Sequence, residues 1–219
     1  IDYTDNTVTG GFCGINDCSF HAHNSGTIWH MVSTFAIRFY AWKAYAFADV
    51  SMQCTVNGYF DVGSRFEWLD KIIRPKLLEL KTLQEKISFT EQVLLKRLSA
   101  VRENTVVNDT IQNILINKGS LDIAKLAKES FVSTRQLERL FHEYVGITPK
   151  KLSNLVRYQF LWRDILCEPD FDVLSAVHKF GYTDQSHLLR EFKRYHSMDI
   201  HNARMMAFKD VGNIQDVFV

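Results

Sequence analysis

From Arg65 onward, apolar residues recur at helical spacing. They run Phe66, Leu69, Ile72 and Ile73, then Leu77, Leu78, Leu80, Leu83 and Ile87, then Val93, Leu94, Leu95, Leu98 and Val101. Pro75 cannot sit deep in a helix without losing a hydrogen bond, so it is expected to open the second helix. Ser88 or Thr90, with Glu91 nearby, is expected to open another. Before residue 60 the pattern differs. Residues 27–40 mix β-branched and aromatic side chains with weak alternation, and glycines stand at 10, 11, 14, 26 and 58. That pattern predicts strands and turns. The polar stretch 103–109 reads as a linker, and residues 209–219 read as a tail.

The helices after the linker form a series. Asn108 or Asp109 can cap a helix with Ile111, Ile114 and Leu115 inward, ended by Lys118 and Gly119. Residues 122–129 form a short helix with Ile123, Leu126 and Ala127 buried. Ser133 caps the next helix, whose apolar face is Leu137, Leu140, Phe141 and Tyr144, and Gly146 suits the left-handed residue after its end. Thr148 and Pro149 start a longer helix with Leu152, Leu155, Val156, Phe160 and Ile165 as its stripe. A short helix over 172–180 and a turn at Gly181 and Tyr182 follow. The last long helix spans 183–195, with Leu188, Leu189 and Phe192 inward.

This series repeats itself. STRQLERLF at 133–141 lies 51 residues ahead of DQSHLLREF at 184–192. In both, a Leu precedes a Phe by four residues and an Arg precedes it by two. A short helix, a tight turn and a second helix opened by a small capping residue form the helix-turn-helix unit. One such unit could belong to any helical bundle; two at a fixed offset argue for DNA binding.

Composition narrows the class. The chain has 219 residues, 46% of them hydrophobic, which suits one large globular domain or two small ones. No apolar run reaches the roughly 18 residues of a membrane span. The most apolar stretch, 35–50, is broken by Arg38, Lys43 and Asp49. The near balance of 26 basic and 25 acidic residues does not exclude nucleic acid, because a local patch binds phosphate. Four cysteines and no export signal suggest a reducing, cytoplasmic setting. The first residue is Ile1, as expected of a fragment or a processed chain. Cys13, Cys18, His21 and His23 carry ligand types that zinc favours, but their spacing fits no zinc motif and they read as loop residues. No nucleophile elbow, P-loop or dinucleotide loop is present, so no catalytic residue, cofactor or metal is assigned and no enzyme is expected.

Residues 108–208 resemble the DNA-binding domain of AraC/XylS-type transcription regulators. The resemblance rests on IAKLAKESFVSTRQLERLF at 123–141, GITP at 146–149, Arg157, FGYTDQSH at 180–187 and REFK at 190–193. Two departures stand out. Ala176-Val177 replaces the family's Ile-Ala, and Ser197-Met-Asp-Ile200 replaces its closing Gly-x-x-Pro, so the chain after Tyr195 is expected to leave by a different route. Upstream, residues 35–98 more weakly resemble the end of the sensor domain of some of these regulators. The resemblance therefore implies an α+β chain: a partial, β-rich, cupin-like sensor and dimerisation domain over 1–104 (β-rich 1–60, helical 65–103), then an all-α domain of two helix-turn-helix units joined by a long helix.

With the apolar faces inward, Ser133, Thr134, Arg135, Gln136, Glu138, Arg139 and His142 of the first unit, and Thr183, Gln185, Ser186, Arg190 and Lys193 of the second, are the expected DNA-contacting residues. Arg suits guanine, Glu cytosine, Gln adenine and Lys phosphate. Helix N-termini at Ser133 and Thr183 offer N–H groups to phosphates. Arg139 could instead pair with Glu138 or Glu143, and Arg190 could turn inward. Tyr182, Phe131 and Trp162 read as core. His142, His178, His187, His196 and His201 lie in this domain and are expected to strengthen the grip on phosphate, with Arg190, Lys193 and Arg194, as pH falls. The implied partner is double-stranded DNA. RNA polymerase, a small-molecule effector and a second copy forming a homodimer are further candidates; no membrane is expected. The competing readings are a ligand- or metal-binding sensor whose helical half makes protein contacts, and a metal-dependent cupin-type enzyme.

Overall fold

The computed structural model describes residues 10–17, 35–99, 101 and 103–209. These fall into two compact units. One holds the described residues up to 16, residues 35–108 and residues 139–147; the other holds residue 17, residues 109–138 and residues 148–209.

The first unit is built on aromatic packing. Two short strands, β1 (Gly11–Cys13) and β2 (Tyr59–Asp61), pair antiparallel with Phe12 opposite Phe60. Beside them lie 3-10 turns at Ala44–Ala46, Met52–Thr55 and Val62–Ser64, and helices α1 (Glu67–Glu79) and α2 (Leu83–Leu98). Ala46, Phe47, Phe66, Leu69 and Ile73 form its buried core. Phe12 meets Phe66 edge-on at 4.5 Å, and Phe39 stacks on Phe47 at 4.8 Å. Trp68 closes one side: its Nε1 donates to the Phe47 carbonyl at 2.6 Å, and the Arg97 guanidinium covers its ring at 5.0 Å.

A β-rich, cupin-like domain is not what these residues form. Among the described residues the only strands are the three-residue β1 and β2. Residues 35–40, expected to be strand, are irregular. Ile37 and Phe39 pack against the core while Tyr40 is exposed and stacks on Trp42, and residues without a paired neighbour cannot make a ladder. Residues 27–34 of that expected strand, together with Cys18, His21, His23 and the tail, lie outside the described residues. Cys13 is an exposed free thiol, and no metal-binding cluster occurs among the described residues.

Two expected helix starts also move. Pro75 lies inside α1, not at a start. The N–H it lacks would have served one carbonyl only, that of Lys71, and the helix ends a turn later at Glu79. Helix α2 begins at neither Ser88 nor Thr90. Thr82 caps it, accepting from the Glu85 N–H at 3.2 Å while the Glu85 carboxylate accepts from the Thr82 N–H at 3.0 Å. This reciprocal capping box satisfies two otherwise orphaned donors.

The expected linker is largely helix. Asn104 accepts from the Val107 N–H at 3.1 Å, and α3 (Thr105–Ile116) starts there, ahead of Asn108 and Asp109. After it come α4 (Ile123–Glu129), α5 (Thr134–Tyr144), α6 (Pro149–Cys167), α7 (Val173–Lys179), α8 (Gln185–His196) and α9 (Ile200–Lys209). In the second unit α6 is the central helix. Leu161, Trp162 and Ile165 of α6, Ala176 and Val177 of α7, Leu188 and Phe192 of α8, and Ala203 of α9 share one core with Phe180 and Tyr182.

The capping box yields a stability prediction. Thr82→Ala is expected to lower unfolding free energy by about 1 kcal/mol, measured by urea denaturation, whereas Ser88→Ala, three residues past the first turn, is expected to change it by less than half as much.

Candidate nucleic-acid interface

Helices α4 and α5 are joined by four residues, Ser130 to Ser133; α7 and α8 are joined by five, Phe180 to Asp184. The turns share one hydrogen-bond pattern. The Val132 N–H donates to the Ala127 carbonyl at 3.1 Å, and the Tyr182 N–H donates to the Val177 carbonyl at 2.9 Å. In each, the residue before that donor has a left-handed backbone: Phe131 at φ 55° and Gly181 at φ 66°. This conformation is cheap for Gly and costs on the order of 1 kcal/mol for a residue with a Cβ.

Each long helix is then capped by a side chain. Ser133 Oγ accepts from the Gln136 N–H at 3.1 Å, and Asp184 Oδ1 accepts from the His187 N–H at 2.7 Å. The cap of α8 is thus Asp184 and not Thr183, which places a carboxylate where a phosphate was expected. The correspondence continues past the helix ends. Thr148 caps α6 through the Lys151 N–H at 3.2 Å, and Asp199, 51 residues on, caps α9 through the Asn202 N–H at 2.9 Å. Gly146 (φ 94°) and Ser197 (φ 62°) occupy the matching left-handed positions. The left-handed backbone and the following cap thus recur after Tyr195, although the Ser197 N–H reaches back four residues, to Lys193, where that of Gly146 reaches back five, to Phe141. Ser197 accepts the strain that Gly would avoid, its N–H held by the Lys193 carbonyl at 2.8 Å.

Inside the second unit a buried ion pair fixes α8 on α6. Arg157 Nη2 donates to both Glu191 carboxylate oxygens, at 2.9 and 2.8 Å, and both side chains are buried. The Tyr182 hydroxyl donates to the same carboxylate at 2.8 Å, and the Arg157 guanidinium lies 4.2 Å from its ring centre. Burial, then the adjacent carboxylate, pushes the Tyr182 phenol well above its ordinary range, so it remains a donor. On the other side of Arg157, Gly119 adopts φ 76°, and any Cβ there would stand 2.1 Å from the Ser153 carbonyl oxygen. Ser153 itself donates to the Gly119 carbonyl at 2.8 Å.

These anchors set which side chains point outward. On α5, Leu137 and Phe141 are fully buried. Thr134, Arg135, Gln136, Glu138 and Arg139 are exposed, as is Ser133. His142 is half-buried and its Nδ1 is sealed from solvent, so it offers less than the other residues of that face. On α8, Leu188 and Phe192 are buried, and Gln185, Ser186, Arg190 and Lys193 are exposed with Thr183. Arg135, Arg139, Arg190 and Lys193 have no ion-pair partner among the described residues, so neither an Arg139–Glu pair nor an inward Arg190 forms. Arg194 differs: it lies 3.7 Å from the buried carboxylate of Asp17, which also holds Lys151 at 2.5 Å.

Three residues depart from their expected places. Leu189 is exposed, not inward, one turn from Gln185 and Lys193 on the outer face of α8; it occupies the position that Glu138 has on α5. Phe131 is not core: its side chain is 97% exposed. Tyr182 and Trp162 are buried as expected. His196 is not a phosphate contact. Its Nδ1 hydrogen-bonds the Tyr158 hydroxyl at 2.6 Å, its ring stacks on Phe192 at 5.0 Å, and burial lowers its pKa, so it favours the neutral form. The expected pH effect on DNA affinity cannot run through it. The Asp184 cap was legible in the Asp-x-x-His spacing; the outward Leu189 was not, because two adjacent leucines fit either phase of the helix.

Residues 126–205 match the family of helix-turn-helix domains. No match is found among curated proteins or among solved structures. No helix among the described residues is long and apolar enough to cross a membrane.

Removing one partner from the Arg157–Glu191 pair leaves a buried charge without compensation. Glu191→Ala is expected to lower unfolding free energy by about 3–5 kcal/mol, and Tyr182→Phe by about 1 kcal/mol, both measured by urea denaturation. Arg190→Ala, one residue away on the exposed face, is expected to stay within about 0.5 kcal/mol of the parent.

Proposed function

We propose that residues 126–205, which match a helix-turn-helix domain, form a domain of the AraC/XylS type, and that the chain is a sequence-specific transcription regulator whose two helix-turn-helix units read successive major grooves of one DNA duplex. One observation carries this reading. The same turn, cap and left-handed backbone after the long helix recur about 50 residues apart, and both copies expose basic side chains that have no ion-pair partner among the described residues. The connecting helix α6, with 19 residues, spans roughly 28 Å at 1.5 Å per residue. That is of the order of the ~34 Å repeat of the duplex.

In the first unit, Arg135 and Arg139 lie one turn apart and suit guanine, with Glu138 between them suited to a cytosine amino group. The N-terminal N–H groups of α5, capped by neutral Ser133, donate to a phosphate. The second unit presents a different chemistry. Gln185 suits adenine, Leu189 a thymine methyl, and Arg190 and Lys193 the phosphates. The carboxylate of Asp184 occupies its helix N-terminus and opposes a phosphate there. The first unit therefore carries the larger share of base reading.

Control by a small ligand at the N-terminal domain, contact with RNA polymerase and a cytoplasmic setting belong to the same proposal. So does self-association. Ile72, Leu78, Leu83 and Leu95 are exposed apolar residues of α1 and α2, available to a second copy of the chain. Sedimentation at tens of micromolar is expected to show a dimer, and Leu78→Lys with Leu95→Lys a monomer.

Arg135→Ala and Arg139→Ala are each expected to weaken binding to a selected duplex by about 1–3 kcal/mol without changing the unfolding midpoint. Affinity is expected to fall steeply as salt rises. Salt-independent binding, or full affinity in both variants, contradicts the reading.

A further inference from the structure

The two turns of the repeat allow an internal comparison. They share the left-handed residue and the hydrogen bonds around it, although the second turn is one residue longer; one holds Gly181 at the left-handed position and the other holds Phe131. Gly181 makes the turn without strain, so the turn itself does not call for an aromatic ring. Nor does the core, because the Phe131 side chain is 97% exposed, the most exposed of the large apolar side chains described. A strained backbone position and a wholly solvated ring are both unfavourable to the folded chain alone. The neighbours of Phe131 behave differently: Val132 is half-buried beside it, and Ser133 caps α5.

The position of the ring in the chain says what it meets. Phe131 stands two residues before the cap of α5, at the end of the helix whose N-terminal side chains reach base edges when such a helix enters the major groove. Ser133, Thr134 and Arg135, all exposed, follow it directly. An apolar ring at that rim has one apolar feature of the groove to meet, the C5-methyl group of thymine. Resting on the DNA-binding reading above, we propose that Phe131 is a specificity-determining residue that packs on a thymine methyl at the outer edge of the first unit's site. Contact with the methyl removes exposed apolar surface of the ring from water, and uracil or cytosine at that base offers nothing in its place. Gly181 cannot make the equivalent contact, so this contact has no counterpart at the second turn.

The test uses the full chain and a duplex recovered from a randomised pool by rounds of binding. Each thymine of that duplex is replaced in turn by uracil, which keeps base pairing and removes only the methyl. For the parent, one thymine at the end of the site read by the first unit is expected to show a loss of about fourfold, the value of one buried methyl group. For Phe131→Gly, overall affinity is expected to fall and the penalty at that same thymine to vanish, while penalties elsewhere persist. Phe131→Leu is expected to restore part of the penalty. Because Gly relieves the left-handed strain, the unfolding midpoint of Phe131→Gly is expected to equal or exceed the parent's, so lost affinity cannot be ascribed to misfolding. Equal affinity of Phe131→Gly and the parent, or a uracil penalty that survives in the variant, overturns the proposal. Failure to recover any duplex from the pool overturns the DNA-binding reading instead, and the two failures are thereby distinguished.

Discussion

The buried contact among Arg157, Glu191 and Tyr182 is the constraint on which the second unit depends. It joins α6, α8 and the turn ahead of α8 through one carboxylate that accepts from a guanidinium and a phenol. An ion pair out of water stabilises a fold only when its geometry satisfies both partners, and its removal is far more damaging than its net contribution suggests. Here the pair sets the rotation of α8 about its axis. With Glu191 turned inward beside Leu188 and Phe192, the outer face must present Gln185, Ser186, Leu189, Arg190 and Lys193. The outward side chains are thus selected by what lies beneath them.

The two units use one architecture with different surface chemistry. Turn, cap and left-handed exit recur, but Ser133 is replaced by Asp184, Glu138 by Leu189 and Phe131 by Gly181. None of these exchanges alters the backbone pattern, because each residue at the capped position accepts the same N–H and each residue in the turn adopts the same φ. Each does alter charge or apolarity on the outside. On the proposed reading, a duplicated scaffold with divergent surface lets one chain distinguish the two ends of an asymmetric site.

Legibility in the sequence followed the physical origin of each feature. The helices of the second half were readable because their apolar residues repeat at 3.6-residue spacing and their caps are short polar side chains. The exposed arginines followed from the same phase. Leu189 was misplaced because Leu188 and Leu189 satisfy the same pattern in two phases, and only the buried Glu191 beside them decides between the two. Phe131 was misplaced because an aromatic residue ordinarily signals core, while its backbone conformation is fixed by a turn that hydrophobicity does not report. Ser197 shows the converse: without Gly a left-handed exit looked too strained, yet capping hydrogen bonds on either side of it hold the turn. In the first half, β-branched and aromatic residues suggested strands, but Phe39 packs on Phe66 and Phe47 on Trp68 with no ladder. Strand propensity reflects fit to a half-buried surface, and such a surface arises without a sheet.

The central claim is that one chain reads two turns of a duplex with two units of unequal chemistry. Hydroxyl-radical footprinting of the full chain on a selected duplex tests it most directly. The account predicts two protected patches on one face of the DNA, centred about 10 base pairs apart, with Arg139→Ala weakening protection first at the end read by α5. A single protected patch, or protection that is uniform along the duplex, would contradict it.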